Sequence, residues 1–225
     1  FYPSHSTSNV NGSPGGKTGS IGDNSQNCTA CHSGTVNSGS GSALISTNIP
    51  SSGYVPGNIY TITMNVNESG VNKFGFELTA EDASGNKEGT FFVTNSTETK
   101  FTNTNTAITH KLAGTTGSTD SRSWTMDWEA PLSGVGDITF SASGLAANYP
   151  NNNSGDNVYT SSILVSEFIP PTQGCTDPLA CNYDPLATVD DSSCVYSVTL
   201  TTVQVHCDTF NWFLNGVTYT SSIID

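Results

Sequence analysis

Between Ala43 and Phe168 apolar side chains return at every second residue, and nothing else in the chain restricts its fold as strongly. Tyr60-Thr61-Ile62-Thr63-Met64-Asn65-Val66 and Phe74-Gly75-Phe76-Glu77-Leu78-Thr79-Ala80 both alternate in this way. So do Trp124-Thr125-Met126-Asp127-Trp128, Ile138-Thr139-Phe140-Ser141-Ala142, and the series Tyr159, Ser161, Ile163 and Val165. Successive side chains on a strand point to opposite faces, so each run predicts a strand with one face buried and one face wet. Pro56-Gly57, Ser84-Gly85-Asn86, Ser133-Gly134-Val135-Gly136 and Asn151-Asn152-Asn153-Ser154-Gly155-Asp156 punctuate the runs as turns. Short amphipathic strands at this spacing predict an all-β protein, an antiparallel β-sandwich of roughly seven to nine strands. Ile169-Pro170-Pro171-Thr172 stiffens the exit and marks a boundary.

Composition agrees, and it excludes several classes of partner. Charged residues are 11% of the chain while Gly, Ser, Thr and Asn abound, which favours strands and turns over long helices. Nineteen acidic residues against six basic ones give a net charge of −13, which repels phosphate backbones and argues against nucleic acid or anionic lipid as partners. No apolar run reaches the roughly eighteen residues a membrane helix needs, so no transmembrane segment is predicted. The chain lacks the basic-plus-apolar opening of a signal peptide, and Phe1 is the expected mature N-terminus.

Chemistry is concentrated in Cys28-Thr29-Ala30-Cys31-His32. This is C-x-x-C-H, the attachment signature of a c-type haem. Two thiols three positions apart reach the two vinyl groups of one porphyrin, and the adjacent imidazole then binds the iron. The alternatives are a small disulfide loop followed by a chance histidine, or half of a zinc site. No second C-x-x-C, C-x-H or H-x-x-x-H supplies the missing zinc ligands. Residues 1 to 42 are rich in Gly, Ser, Asn and Thr and would be disordered alone. A covalent ring gives such an arm something apolar to wrap, and Gly15, Gly16, Gly19 and Gly22 permit a tight path.

A six-coordinate iron needs a second axial ligand. His110, at the end of an expected strand, is the leading candidate, and His5 on the arm is the next. Met64 and Met126 alternate in phase with Ile62 and Trp124 and are expected in the core. Two strong ligands make an electron carrier, whereas an open position permits gas or peroxide chemistry. No distal catalytic pair, G-x-S-x-G, H-E-x-x-H or phosphate loop is present, so no enzyme is expected.

Cys175, Cys181, Cys194 and Cys207 lie in a segment with little to bury, which predicts two disulfides and an oxidising compartment, with three pairings open. Asp177, Asn182, Asp184, Asp190 and Asp191 in the same segment offer hard oxygen donors suited to calcium, or else serve as solvated turn residues.

Gly53-Tyr54-Val55-Pro56-Gly57, Gly75-Phe76-Glu77-Leu78, Ile108-Thr109-His110 and Trp128-Glu129-Ala130-Pro131 resemble the Reeler-type, immunoglobulin-like sandwich. With Gly16-Lys17-Thr18-Gly19, Gly22-Asp23 and the C-x-x-C-H added, the stretch of about 12–168 resembles the choice-of-anchor V domain of secreted Bacteroidetes proteins. The segment Cys175-Thr176-Asp177-Pro178-Leu179-Ala180-Cys181-Asn182-Tyr183 resembles a short repeat of such surface proteins, somewhat like thrombospondin type 3 repeats. That repeat implies Cys175–Cys194, and with it Cys181–Cys207; Ser192 stands where the pattern usually has Gly. The resemblance also implies a sorting domain for type IX secretion beyond Asp225.

The expected organisation is a haem-attachment arm over 1–42, a sandwich over 43–168, a disulfide-tied acidic repeat over 169–196, and the start of a further β-module over 197–225. The expected function is that of an extracellular, cell-surface-anchored monohaem cytochrome. It would pass electrons to a redox partner or other surface proteins, with a homo-oligomer or filament permitted. The alternative is a structural or adhesive surface protein in which Cys28 and Cys31 are disulfide-bonded or the haem is a staple.

Overall fold

The computed structural model describes residues 9–147 and 155–197, and the backbone of short strands at 210–212 and 217–219. The chain divides into two compact units, residues 1–169 and 170–225.

Among the described residues, nine strands build the first unit: β1 (Ser42–Thr47), β2 (Ile59–Asn67), β3 (Lys73–Glu81), β4 (Thr90–Phe92), β5 (Thr99–Thr102), β6 (Ala107–His110), β7 (Ser121–Glu129), β8 (Ile138–Ala147) and β9 (Asn157–Val165). They form two antiparallel sheets, ordered β1-β2-β7-β4 and β5-β6-β3-β8-β9. Alternation sets what lies between them. Tyr60, Ile62, Met64 and Val66 of β2 and Trp124, Met126 and Trp128 of β7 are buried with Phe74, Phe76, Leu78 and Ala80 of β3 and Phe140 of β8. Aromatic rings join the sheets, Phe76 to Trp124 at 4.5 Å between centroids and Trp128 edge-on to Phe140 at 4.8 Å. Such pairs add about 0.5–1.5 kcal/mol each beyond their burial.

One expectation needs correcting. The outer faces of β3 and β8 are not wet: Glu77, Thr79, Glu81, Ser141 and Ser143 are all buried. Residues 12–28 of the arm cross this face and cover it with polar contacts. The Ser13 N–H donates to Thr109 Oγ1 on β6 at 3.0 Å, and the Lys17 N–H to Glu77 Oε1 on β3 at 3.3 Å. The Ser20 hydroxyl and the Gly22 N–H take the two oxygens of Glu81, at 2.5 and 2.9 Å. The Cys28 N–H ends the path on Ser143 Oγ of β8 at 3.2 Å. Gly22 has no alternative, since a Cβ there would stand 2.2 Å from the Gly85 carbonyl oxygen. The arm's own amides and hydroxyls thus hold it down, a role assigned from the sequence to a porphyrin.

In the second unit β10 (Gln173–Gly174) pairs in parallel with β11 (Val189–Asp190), and Cys175–Cys194 is a disulfide. Cys207 lies outside the described residues, and the Cys181–Cys207 pairing with it. The backbone of β12 (Phe210–Trp212) and β13 (Val217–Tyr219) forms an antiparallel pair.

The donors expected of a calcium site serve turns here. Asp177, Asp184, Asp190 and Asp191 each accept the N–H two residues on, at 2.9–3.1 Å. Asn182 bridges to the Val195 N–H and the Ser193 carbonyl. Among the described residues no three His, Cys, Asp or Glu side chains are gathered to hold a metal ion.

Candidate functional site

Cys28–Ala30 is a single 3₁₀ turn. Asn27 caps it, its Oδ1 accepting the Thr29 N–H at 2.9 Å, and the N–H groups of Cys31 and His32 both return to the Cys28 carbonyl. This coil brings Cys28, Cys31 and His32 to one cavity of about 370 Å³, within the roughly 300–1,000 Å³ usual for small-molecule sites. Val10, Phe74, Phe76, Leu112 and Leu145 give it apolar walls. His110 lines the same cavity.

The Cys28 thiol is a poor redox nucleophile. Burial, with help from the nearby Glu77 and Cys31, pushes the Cys28 thiol up to about 11, so it is not a thiolate at neutral pH. A thioredoxin-like role for this C-x-x-C needs the opposite shift.

Each of the two imidazoles is held by specific partners. His32 Nδ1 lies 2.6 Å from Oδ2 of Asp156, a carboxylate only 2% exposed. A buried carboxylate on Nδ1 holds the ring proton there and leaves Nε2 as the acceptor, the carboxylate–histidine arrangement that orients metal-bound imidazoles. His110 ends β6, and its ring occupies the place where the β3–β6 ladder would continue. Its Nδ1 lies 3.0 Å from the Phe76 N and 3.3 Å from the Phe76 carbonyl oxygen, so either tautomer finds a partner on that residue. The tautomer protonated on Nδ1 keeps only the carbonyl contact and leaves Nε2 without a proton, whereas the Phe76 N–H contact belongs to the other tautomer. Burial lowers His110 to about 4, so the ring is neutral near pH 7.

Gly75 makes room for that ring, since a Cβ there would stand 2.6 Å from His110 Cε1. Gly75→Ala should therefore displace the imidazole and destabilise the first unit by about 1–3 kcal/mol, the cost of overpacking. Urea unfolding of the purified chain measures it, and an unchanged midpoint would show that the ring yields freely.

Sequence reasoning placed Cys28, Cys31, His32 and His110, and the fold gathers all four. Met64 and Met126 are buried in the core. His5 lies outside the described residues. Asp156, Glu77, Lys17 and Lys73 were missed. Asp156 follows an Asn-rich run of sequence, 124 residues from His32, and no local signal pairs them. Lys17 and Lys73 also line the cavity, and as two of only six basic residues they could have been noticed by their scarcity.

Comparison with solved structures returns the Reelin-N domain of F-spondin (21% identity, 62% of this chain and 94% of that one, TM-score 0.45). It also returns a human F-spondin reeler domain fragment (22% identity, 60% and 94%, TM-score 0.42). Among curated proteins, ribulose bisphosphate carboxylase/oxygenase activase 1, chloroplastic, of Larrea tridentata shares 64% identity over 28 residues. That stretch is 12% of this chain and 6% of the activase, and the activase's activity does not transfer through it. The Reeler domain model matches residues 26–149, more than half of the 225-residue chain, and the chain therefore belongs to the Reeler domain family.

Proposed function

We propose that this cavity carries a covalently attached haem c and that the protein passes single electrons outside the cell. The observation that carries the reading is the convergence of C-x-x-C-H and His110 on one apolar-walled cavity. Cys28 and Cys31 would form the thioethers, and His32, its Nδ1 held by Asp156, would offer Nε2 to the iron. His110, which lines the same cavity, would offer a second nitrogen. Lys17 and Lys73 offer positive charge to the anionic edge of the ring in a chain that is otherwise strongly acidic. When bound, the haem supplies a one-electron ferric–ferrous couple, with a potential set by its ligands and burial.

The Reeler family is extracellular and mediates protein interactions. Surface anchoring in the manner of choice-of-anchor V proteins, a redox partner among other surface proteins, and electron transfer rather than catalysis are part of the proposal. The test is intact mass of the full chain made in a host with cytochrome c maturation. The expected result is one haem-sized adduct that resists acid-acetone extraction and disappears in a Cys28→Ser/Cys31→Ser double variant. A colourless, unmodified chain would leave a structural or adhesive surface module instead.

A further inference from the structure

We propose that Glu77 is a redox-linked proton site: its buried carboxylate takes up a proton when an electron enters the adjoining cavity and releases it when the electron leaves. This rests on the haem reading and adds to it a control of that site by pH.

The case is geometric. Glu77 is wholly buried on the outer face of β3, in register with Thr109 of β6 and Ser143 of β8. Its Oε1 accepts the Lys17 N–H, while its Oε2 has no hydrogen-bond partner. A carboxylate stripped of water with one oxygen unpartnered is poorly stabilised, and a proton relieves it. The hydroxyl of Ser143 accepts the Cys28 N–H, which puts the carboxyl beneath the turn that bears the cysteines. Ser13, Lys17 and Cys28, which interact with Glu77, all line the cavity.

The charged and titratable groups around it are few. The arm brings Lys17, Asp23 and Cys28, β6 ends in His110, and β8 presents the uncharged Ser143. On its own strand Glu81 is paired with Lys87. Burial, the leading cause, together with the Asp23 charge holds the Glu77 carboxyl above its ordinary value despite hydrogen bonds from Ser13 and Lys17.

The step balances simply. A one-electron donor reduces ferric iron to ferrous, and the added negative charge raises the cost of the neighbouring carboxylate in a medium of low dielectric. The Glu77 carboxylate then takes one proton from solvent. Only its O–H bond forms, and oxidation reverses both events.

The experiment is a spectroelectrochemical titration of the full haem-loaded chain, across the pH range in which it stays folded, in wild type and Glu77→Gln. Wild type should show a potential that falls as pH rises, with a slope reaching about 59 mV per unit, one proton per electron. The glutamine keeps the size and the Lys17 contact but cannot titrate, so its potential should be flat across the same range. Proton uptake on reduction of wild type, read with an indicator dye in weak buffer, should approach one per electron, and it needs no variant to fold. Equal slopes in the two haem-bearing chains, or no proton uptake by wild type, overturn the proposal alone. A chain with no porphyrin adduct overturns the haem reading and this proposal with it.

Discussion

Lys87→Met should destabilise the first unit by about 3 kcal/mol, at the low end of the roughly 3–5 kcal/mol expected when one partner of a buried charge pair is removed. Lys87 Nζ lies 2.7 Å from Asp23 Oδ1 and 2.5 Å from Glu81 Oε1, joining the arm to β3. The carboxylates are 2% and 3% exposed and the lysine 19%, so water can compensate only part of the loss. Without Nζ two like charges face each other out of solvent. The Thr18 hydroxyl on Asp23 and the Ser20 hydroxyl on Glu81 remain, which is why the lower figure is expected.

The pH dependence gives the prediction a second readout. Burial pushes the Asp23 carboxyl up, but Lys87 and Thr18 together hold it below its ordinary 3.8. A depressed carboxyl contributes stability that is present above its unfolded value and is lost as pH falls through the folded one. Wild type should therefore lose this contribution only below about pH 4. In Lys87→Met the Asp23 carboxyl loses that support, and the variant should instead gain stability relative to wild type as acid protonates it. Urea midpoints across pH and protease cleavage within the arm would check both effects. A loss below about 1 kcal/mol with no change in acid behaviour would mean that the pair acts like a surface salt bridge.

The second large effect belongs to the iron. On the haem reading, His110→Ala should convert a six-coordinate, low-spin spectrum to a five-coordinate one, and the reduced variant should bind carbon monoxide that wild type excludes. The ring is buried and packs 6.4 Å from Phe76, so some stability is lost as well. His110→Met separates ligation from packing. A thioether there should restore six-coordination and raise the potential, as histidine–methionine ligation does in cytochromes c. An Ala variant whose spectrum matches wild type would remove His110 from the iron.

The outline of the fold was legible because alternation is a local property. Ile62, Met64 and Val66, or Trp124, Met126 and Trp128, declare a buried face within seven residues of chain, and the burial of those side chains agrees. The boundary read at Ile169-Pro170-Pro171-Thr172 lies beside the division between the two units at 169 and 170. C-x-x-C-H was legible as a pattern for the same reason, since it is contained in five consecutive residues.

Alternation says nothing about what covers the other face. Glu77 and Glu81 read as solvent-facing acids on an amphipathic strand, and only the path of the arm buries them. That path is made of backbone amides and short hydroxyls, which carry no period and no hydrophobic signal. Asp156 on His32, Ser143 under Cys28 and the bare Cα of Gly75 against His110 are of the same kind. Hydrophobic burial is non-directional and tolerates a pattern, so composition and period were enough to call up the sandwich and its core. Hydrogen bonds and charge pairs act over about 3 Å between residues up to 124 positions apart, so the carboxylate beside His32 and the burial of Glu77 came into view only with the folded chain.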